Sequence, residues 1–77
     1  MKEIYLHSLK PGQKCIIRSL NSSGIEGQRL LDMGFIRGTE LKVVRNAPFA
    51  DPIEILIRGC NISIRRDEAS LIGVEII

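Results

Sequence analysis

The chain is poor in the residues that most binding and catalytic chemistry needs. It has no tryptophan, one tyrosine (Tyr5), two phenylalanines (Phe35 and Phe49), two cysteines (Cys15 and Cys60) and one histidine (His7). A structural zinc site takes four Cys or His ligands, and the two thiols stand 45 positions apart with no CxxC between them. The plain reading of Cys15 and Cys60 is as small buried or half-buried free thiols. A triad requires a nucleophile, a base and a group that orients the base. His7 is the only candidate base, and its place in the N-terminal segment reads as mobile and exposed. No P-loop or dinucleotide fingerprint occurs, so the chain is expected not to be an enzyme and to need no cofactor. No apolar run approaches the ~20 residues that span a bilayer. The opening Met1–His7 mixes an acid and the histidine into its apolar residues, unlike a secretory signal, which points to a cytoplasmic protein.

Charge of one sign is also scarce. Eleven Lys and Arg against nine Asp and Glu leave +2 over 77 residues. Nucleic-acid binders concentrate basic surface because phosphate neutralisation dominates their affinity. Here acids interrupt the bases, as where Asp67-Glu68 follows Arg65-Arg66. Small barrels that read single strands stack bases on strand-borne aromatics, and none of the three aromatics falls in an expected strand. No nucleic-acid partner is expected, and a nucleic-acid-binding small barrel stays only as a second alternative that requires a basic face clustered by folding; the same lack argues against a proline-peptide groove, which is aromatic-lined.

What is present is a series of short alternating segments cut by turns, in room for one domain, residues 1–77. Lys10-Pro11-Gly12-Gln13 reads as a type II turn, with proline second and glycine third. A strand follows over Lys14–Leu20. Ser23-Gly24-Ile25-Glu26 matches a capping box and opens a short helix whose apolar face is Ile25, Leu30, Leu31 and Met33, with Gly34 ending it. Arg37-Gly38 reads as a second tight turn. Period-2 alternation then recurs at Leu41/Val43, Ile53/Ile55/Ile57, Ile62/Ile64 and Ile72/Val74/Ile76. Gly59-Cys60-Asn61 reads as a hairpin connection, and Asp67–Ser70 as a helical turn. The expected class is mainly β: a small SH3-like barrel of about five antiparallel strands with one short inserted helix, since partial closure hides sheet edges.

Several blocks together resemble the ferrous iron transport protein A (FeoA) family. Leu6-x-x-Leu9-x-x-Gly12 looks like that family's start, and Arg29-Leu30-Leu31-Asp32-Met33-Gly34-Phe35 is similar to its "RLLDLGL" stretch. Gly38-Thr39 sits where its "PGT" turn does, and Ala47-Pro48 with Asp51-Pro52 looks like its "APLGDP" loop. Arg58-Gly59, Ile64-Arg65 and Glu68-Ala69 look like its "RG…LRxxEA" tail. Arg37 replaces a usual proline, and Phe49-Ala50 replaces Leu-Gly. The resemblance implies an SH3-like barrel that assists a bacterial ferrous iron transporter, with the permease FeoB and its cytoplasmic GTP-binding domain as partner. Similar barrels form the C-terminal domain of iron- and manganese-dependent repressors, which keeps a small Fe²⁺ or other transition-metal sensor or carrier in view as the alternative.

Arg29, Phe49, Asp51 and Arg65 are the expected partner-contact residues. Phe49, in a loop bracketed by Pro48 and Pro52, either anchors a partner or folds back over the barrel mouth. Arg29 and Arg65 have a plainer reading as solvated charges. Gly12, Gly34, Gly38, Pro48, Pro52 and Gly59 are assigned to backbone shape, and Leu30, Leu31 and Ala69 to packing.

Overall fold

The structure, a computed structural model, describes residues 4–21, 24–46 and 51–77. In chain order it contains β1 (Ile4–Tyr5), a 3₁₀ turn (Leu6–Ser8), β2 (Lys14–Leu20), α1 (Gly24–Asp32), β3 (Glu40–Asn46), β4 (Ile53–Ile57), β5 (Cys60–Ile64), α2 (Arg66–Ala69) and β6 (Ile72–Ile76). All pairings are antiparallel, in the order β1-β6-β2-β3-β4-β5. Bulges between Ile17 and Ser19 and between Val43 and Arg45 bend the long strands, as bulges do where a sheet must curl. Among the described residues the edge strands β1 and β5 do not pair with each other. The 3₁₀ turn and α2, which follow them in the chain, pack together and cover the gap between them.

The alternating residues decide which face is inside. Cys15 and Ile17 of β2, Leu41 and Val43 of β3, and Ile53, Ile55 and Ile57 of β4 are buried together with Ile64, Ile72 and Val74. Leu6, Leu9, Leu30, Phe35 and Ala69 from the connecting segments complete the core. The alternation fails where a strand outruns its cover. Ile76 is exposed and Ile62 only half-buried, so the expected inward face of β6 stops at Val74.

The stretch from Arg29 to Phe35 shows how a short sequence sets local structure. The Phe35 N–H bonds the Leu30 carbonyl and the Gly34 N–H bonds the Leu31 carbonyl, the paired bonds of a Schellman cap. Gly34 takes φ +101°, and the hydrophobic contact that goes with this cap is supplied by Leu30 and Phe35, both fully buried. The helix face differs from expectation. Ile25 is 86% exposed, and the residues of α1 that are buried are Gly27 and Leu30, with Leu31 and Met33 half-buried beside them. Ile25 stands in the first turn of α1, where the core does not reach it.

Other expectations need correction. The segment around His7 is ordered into β1 and the 3₁₀ turn, His7 is half-buried, and Tyr5 lies in a strand. The β4–β5 connection is Arg58-Gly59, since Ile57 pairs with Cys60. Both turn residues have positive φ, 53° and 81°, as a two-residue type I′ hairpin demands. Cys60 is therefore a strand residue, and it is exposed, whereas Cys15 is buried. The expected cap at Ser23 and the loop residues Pro48 and Phe49 lie outside the described residues. Among the described residues no helix is long and apolar enough to cross a membrane.

Candidate functional site

α2 begins where β5 ends, and its first turn needs acceptors for the backbone N–H groups that no helix can satisfy internally. Two acids supply them. Glu68 Oε1 accepts the Arg65 N–H at 3.0 Å, the glutamate half of a capping box. Asp51 Oδ1 accepts the Arg66 N–H at 3.1 Å. The second bond ties the segment before β4 to α2, across the cis Asp51–Pro52 peptide.

Glu68 is also the buried charged residue of the core, 4% exposed. A carboxylate at that depth is costly unless it is paired. Its Oε2 receives a hydrogen bond and ion pair from Arg29 Nη1. Arg29 sits in the last turn of α1, where a cation also complements the helix dipole. Its side chain remains 56% exposed. One nitrogen is thus anchored on a buried acid while the rest of the guanidinium faces water. A guanidinium carries five donors in a rigid fork, so Arg29 is a cation held in place with donors to spare.

These groups line a cleft of about 470 Å³ bounded by Arg29, Pro52, Ser63, Arg65, Asp67 and Glu68. The fold brings together Arg29 and Arg65 and sets Asp51 at the cleft's edge through its bond to α2. Phe49 lies outside the described residues. Pro52, assigned to backbone shape from the sequence, lines the cleft. Glu68 and Asp67 join the site although in the sequence they stand only within the Glu68-Ala69 motif and the helical turn Asp67–Ser70. The available signal was an Arg-Arg-Asp-Glu run closing on Ala69, which alternation alone reads as a solvated turn.

The remaining candidates behave as structural parts. Gly12 (φ +93°) and Gly38 (φ +91°) occupy the third positions of their turns, with Gln13 N–H bonding Lys10 O and Thr39 N–H bonding Ile36 O. Phe35 is fully buried and offers no face to a base or a peptide. The Cys15 thiol is buried, and that burial pushes it from the usual 9.0 to about 11, which keeps it protonated at neutral pH. Among the described residues no group of three or more His, Cys, Asp or Glu side chains converges on a point that could hold a metal ion.

Comparison with known proteins places this architecture. The family model described as the FeoA domain matches residues 4–76. The chain is 38% identical over 72 residues to the Fe(2+) transport protein A/Fe(2+) transporter FeoB fusion protein of Porphyromonas gingivalis, covering 94% of this chain and 8% of that protein. It is 36% identical, over 94% of this chain and 97% of its relative, to the putative Fe(2+) transport protein A of Campylobacter jejuni. Among solved structures, the FeoA-like protein of Clostridium acetobutylicum superposes with a TM-score of 0.93 at 32% identity, covering 100% of this chain and 90% of that one. The zinc-complexed FeoA of Stenotrophomonas maltophilia, described as a procaryotic SH3 domain protein, gives 0.82 at 21% identity, over 94% and 89% of the two chains. The SH3-like fold and the extent of the match agree, and the chain belongs to the FeoA family of ferrous iron transport proteins.

Proposed function

We propose that this domain is a non-catalytic accessory protein of ferrous iron uptake. It acts in the cytoplasm by docking on the GTP-binding part of the permease FeoB, and it modulates Fe²⁺ transport through that contact. The observation that carries the reading is the Porphyromonas gingivalis relative, named as a fusion of transport protein A with FeoB. A short tether between two modules raises their effective concentration to about the millimolar range, which profits only modules that meet. The cleft supplies a fitting contact. Arg29 and Arg65 are exposed cations and Asp67 an exposed acid; the Arg29 guanidinium is held by Glu68, and Arg65 is placed by its backbone bond to the same carboxylate. Such fixed charges favour specificity and steering over bulk affinity.

The test is a ¹⁵N–¹H NMR titration with the GTP-binding domain of the cognate permease, without nucleotide, with GDP and with a non-hydrolysable GTP analogue. Shift changes at Arg29, Asp51, Arg65 and Glu68, lost in Arg29→Glu, are the expected result. No shift change in any nucleotide state removes the proposed contact. A second reading, direct binding of Fe²⁺ or another divalent metal, draws on the zinc named with the Stenotrophomonas maltophilia structure. Calorimetric titration with Zn²⁺ at neutral pH decides it: saturable heat at a fixed stoichiometry brings it forward, and the absence of heat dismisses it.

A further inference from the structure

On the outside of the barrel, away from the α2 cleft, one row of paired residues runs across three strands. Lys14 of β2 faces Lys42 of β3, and Lys42 faces Leu56 of β4. The adjacent row, Cys15–Leu41–Ile57, is buried, so by strand alternation the lysine row stands on the opposite, wet face. Directly opposed like charges destabilise an antiparallel pair. The domain nevertheless puts two lysines there, and the hairpin turn adds Arg58 at the rim, its side chain running past Gly34 at the end of α1. Elsewhere on the sheet cations are matched: Arg18 pairs with Glu75 at 2.8 Å and Arg45 with Glu54 at 3.0 Å. Among the described residues Lys14, Lys42 and Arg58 have no such ion pair.

These residues line a depression with Glu40, Leu56 and Gly59. Three cations and one acid leave a charge equal to the +2 of the whole chain. Its volume is about 230 Å³, below the roughly 300 Å³ at which small-molecule pockets begin, and suited to one or two inserted side chains. Leu56, 39% exposed, offers an apolar surface among the charges. We propose that this face is a docking surface for an acidic segment of a protein partner, whose carboxylates meet Lys14, Lys42 and Arg58 and whose apolar side chain lies on Leu56. An anionic membrane is the poorer match. Cations at an anionic bilayer surface contribute only about 1 kcal/mol each. The surface does not involve the α2 cleft, and the inference stands whether or not the reading above holds.

The test uses the whole domain and an acetylated, amidated peptide of alternating glutamate and leucine. A lysine–leucine peptide is the control, and phosphatidylserine-containing vesicles are run in parallel. Expected are shift changes at the amides of Lys14, Lys42, Leu56, Arg58 and Gly59, weakened strongly at about 0.5 M salt, where screening acts within ~4 Å. Lys42→Glu should weaken peptide binding roughly tenfold or more. The same change sets an acid opposite Lys14, so the unfolding temperature should hold or rise, which separates lost binding from lost folding. Lys14→Gln gives the second, milder variant. The proposal is overturned if the acidic peptide shifts other residues or none, if the control peptide binds equally, if Lys42→Glu leaves binding unchanged, or if the vesicles bind and the peptide does not.

Discussion

Glu68 and Arg29 are separated by 39 positions and depend on each other. Removing one partner of a fully buried pair costs about 3–5 kcal/mol. Because the Arg29 side chain is 56% exposed, water replaces part of what is lost, and Arg29→Ala should cost about 1–3 kcal/mol. Urea unfolding of Arg29→Ala, Glu68→Ala and the double variant measures this. The double variant should cost less than the sum, since the second change removes the stranded charge that the first created. Cys15 makes the other residue-scale prediction. Its thiol is held at about 11 in the folded protein against 9.0 when free. Below pH 9 both states keep the proton and the contribution is full. Between these values the unfolded chain gives up its proton and the folded one does not, so stability falls as pH rises, by about 1.4 kcal/mol per unit. Unfolding curves through this range should show that extra slope in the parent and not in Cys15→Ala. Cysteine counting finds both thiols but cannot say which is inside. That follows from strand register, which seats Cys15 opposite Leu41 and leaves Cys60 at the mouth of a hairpin.

At the scale of elements, glycine and proline positions carried most of the legible information. The Gly34 cap and the turns at Gly12 and Gly38 stand where turn chemistry put them. At Gly34 an added Cβ would meet Arg58 Cδ at 3.6 Å, an ordinary contact, so the obstacle to substitution is the φ of +101°. Gly34→Val should cost about 2 kcal/mol or more; thermal unfolding unchanged from the parent would contradict the assigned cap. Arg37 occupies the second position of the Ile36–Thr39 turn, where proline's fixed φ suits the type II geometry. Arg37→Pro should raise stability by about 0.4–1 kcal/mol through the unfolded state, visible as a higher urea midpoint with an unchanged slope. The helix face was less legible. Ile25 fits a helical period, but periodicity counts residues within a helix and not how far the surface beneath it extends.

For the molecule as a whole, closure depends on segments that are not strands. Leu6, in the 3₁₀ turn, is fully buried beneath the gap that this turn and α2 cover. A buried Leu→Ala change costs about 2–5 kcal/mol. Domains hold roughly 0.05–0.15 kcal/mol per residue, so Leu6→Ala should remove a large part of the total and lower the unfolding temperature by many degrees. Local pattern by itself determined the mainly β class, the turns at Gly12 and Gly38, the helix that ends at Gly34, and, through ordered motif blocks, the family. Each of these follows from side-chain alternation or backbone preference over a few neighbouring residues. Tertiary structure alone decided that Ile4–Tyr5 adds a sixth strand, that Arg29, Asp51, Arg65 and Glu68 gather around α2, and that Lys14 stands opposite Lys42. Those outcomes depend on strand register and on contacts between residues far apart in the chain. A one-residue change of register reverses every side chain on a strand, and no local pattern specifies which distant strand becomes its neighbour.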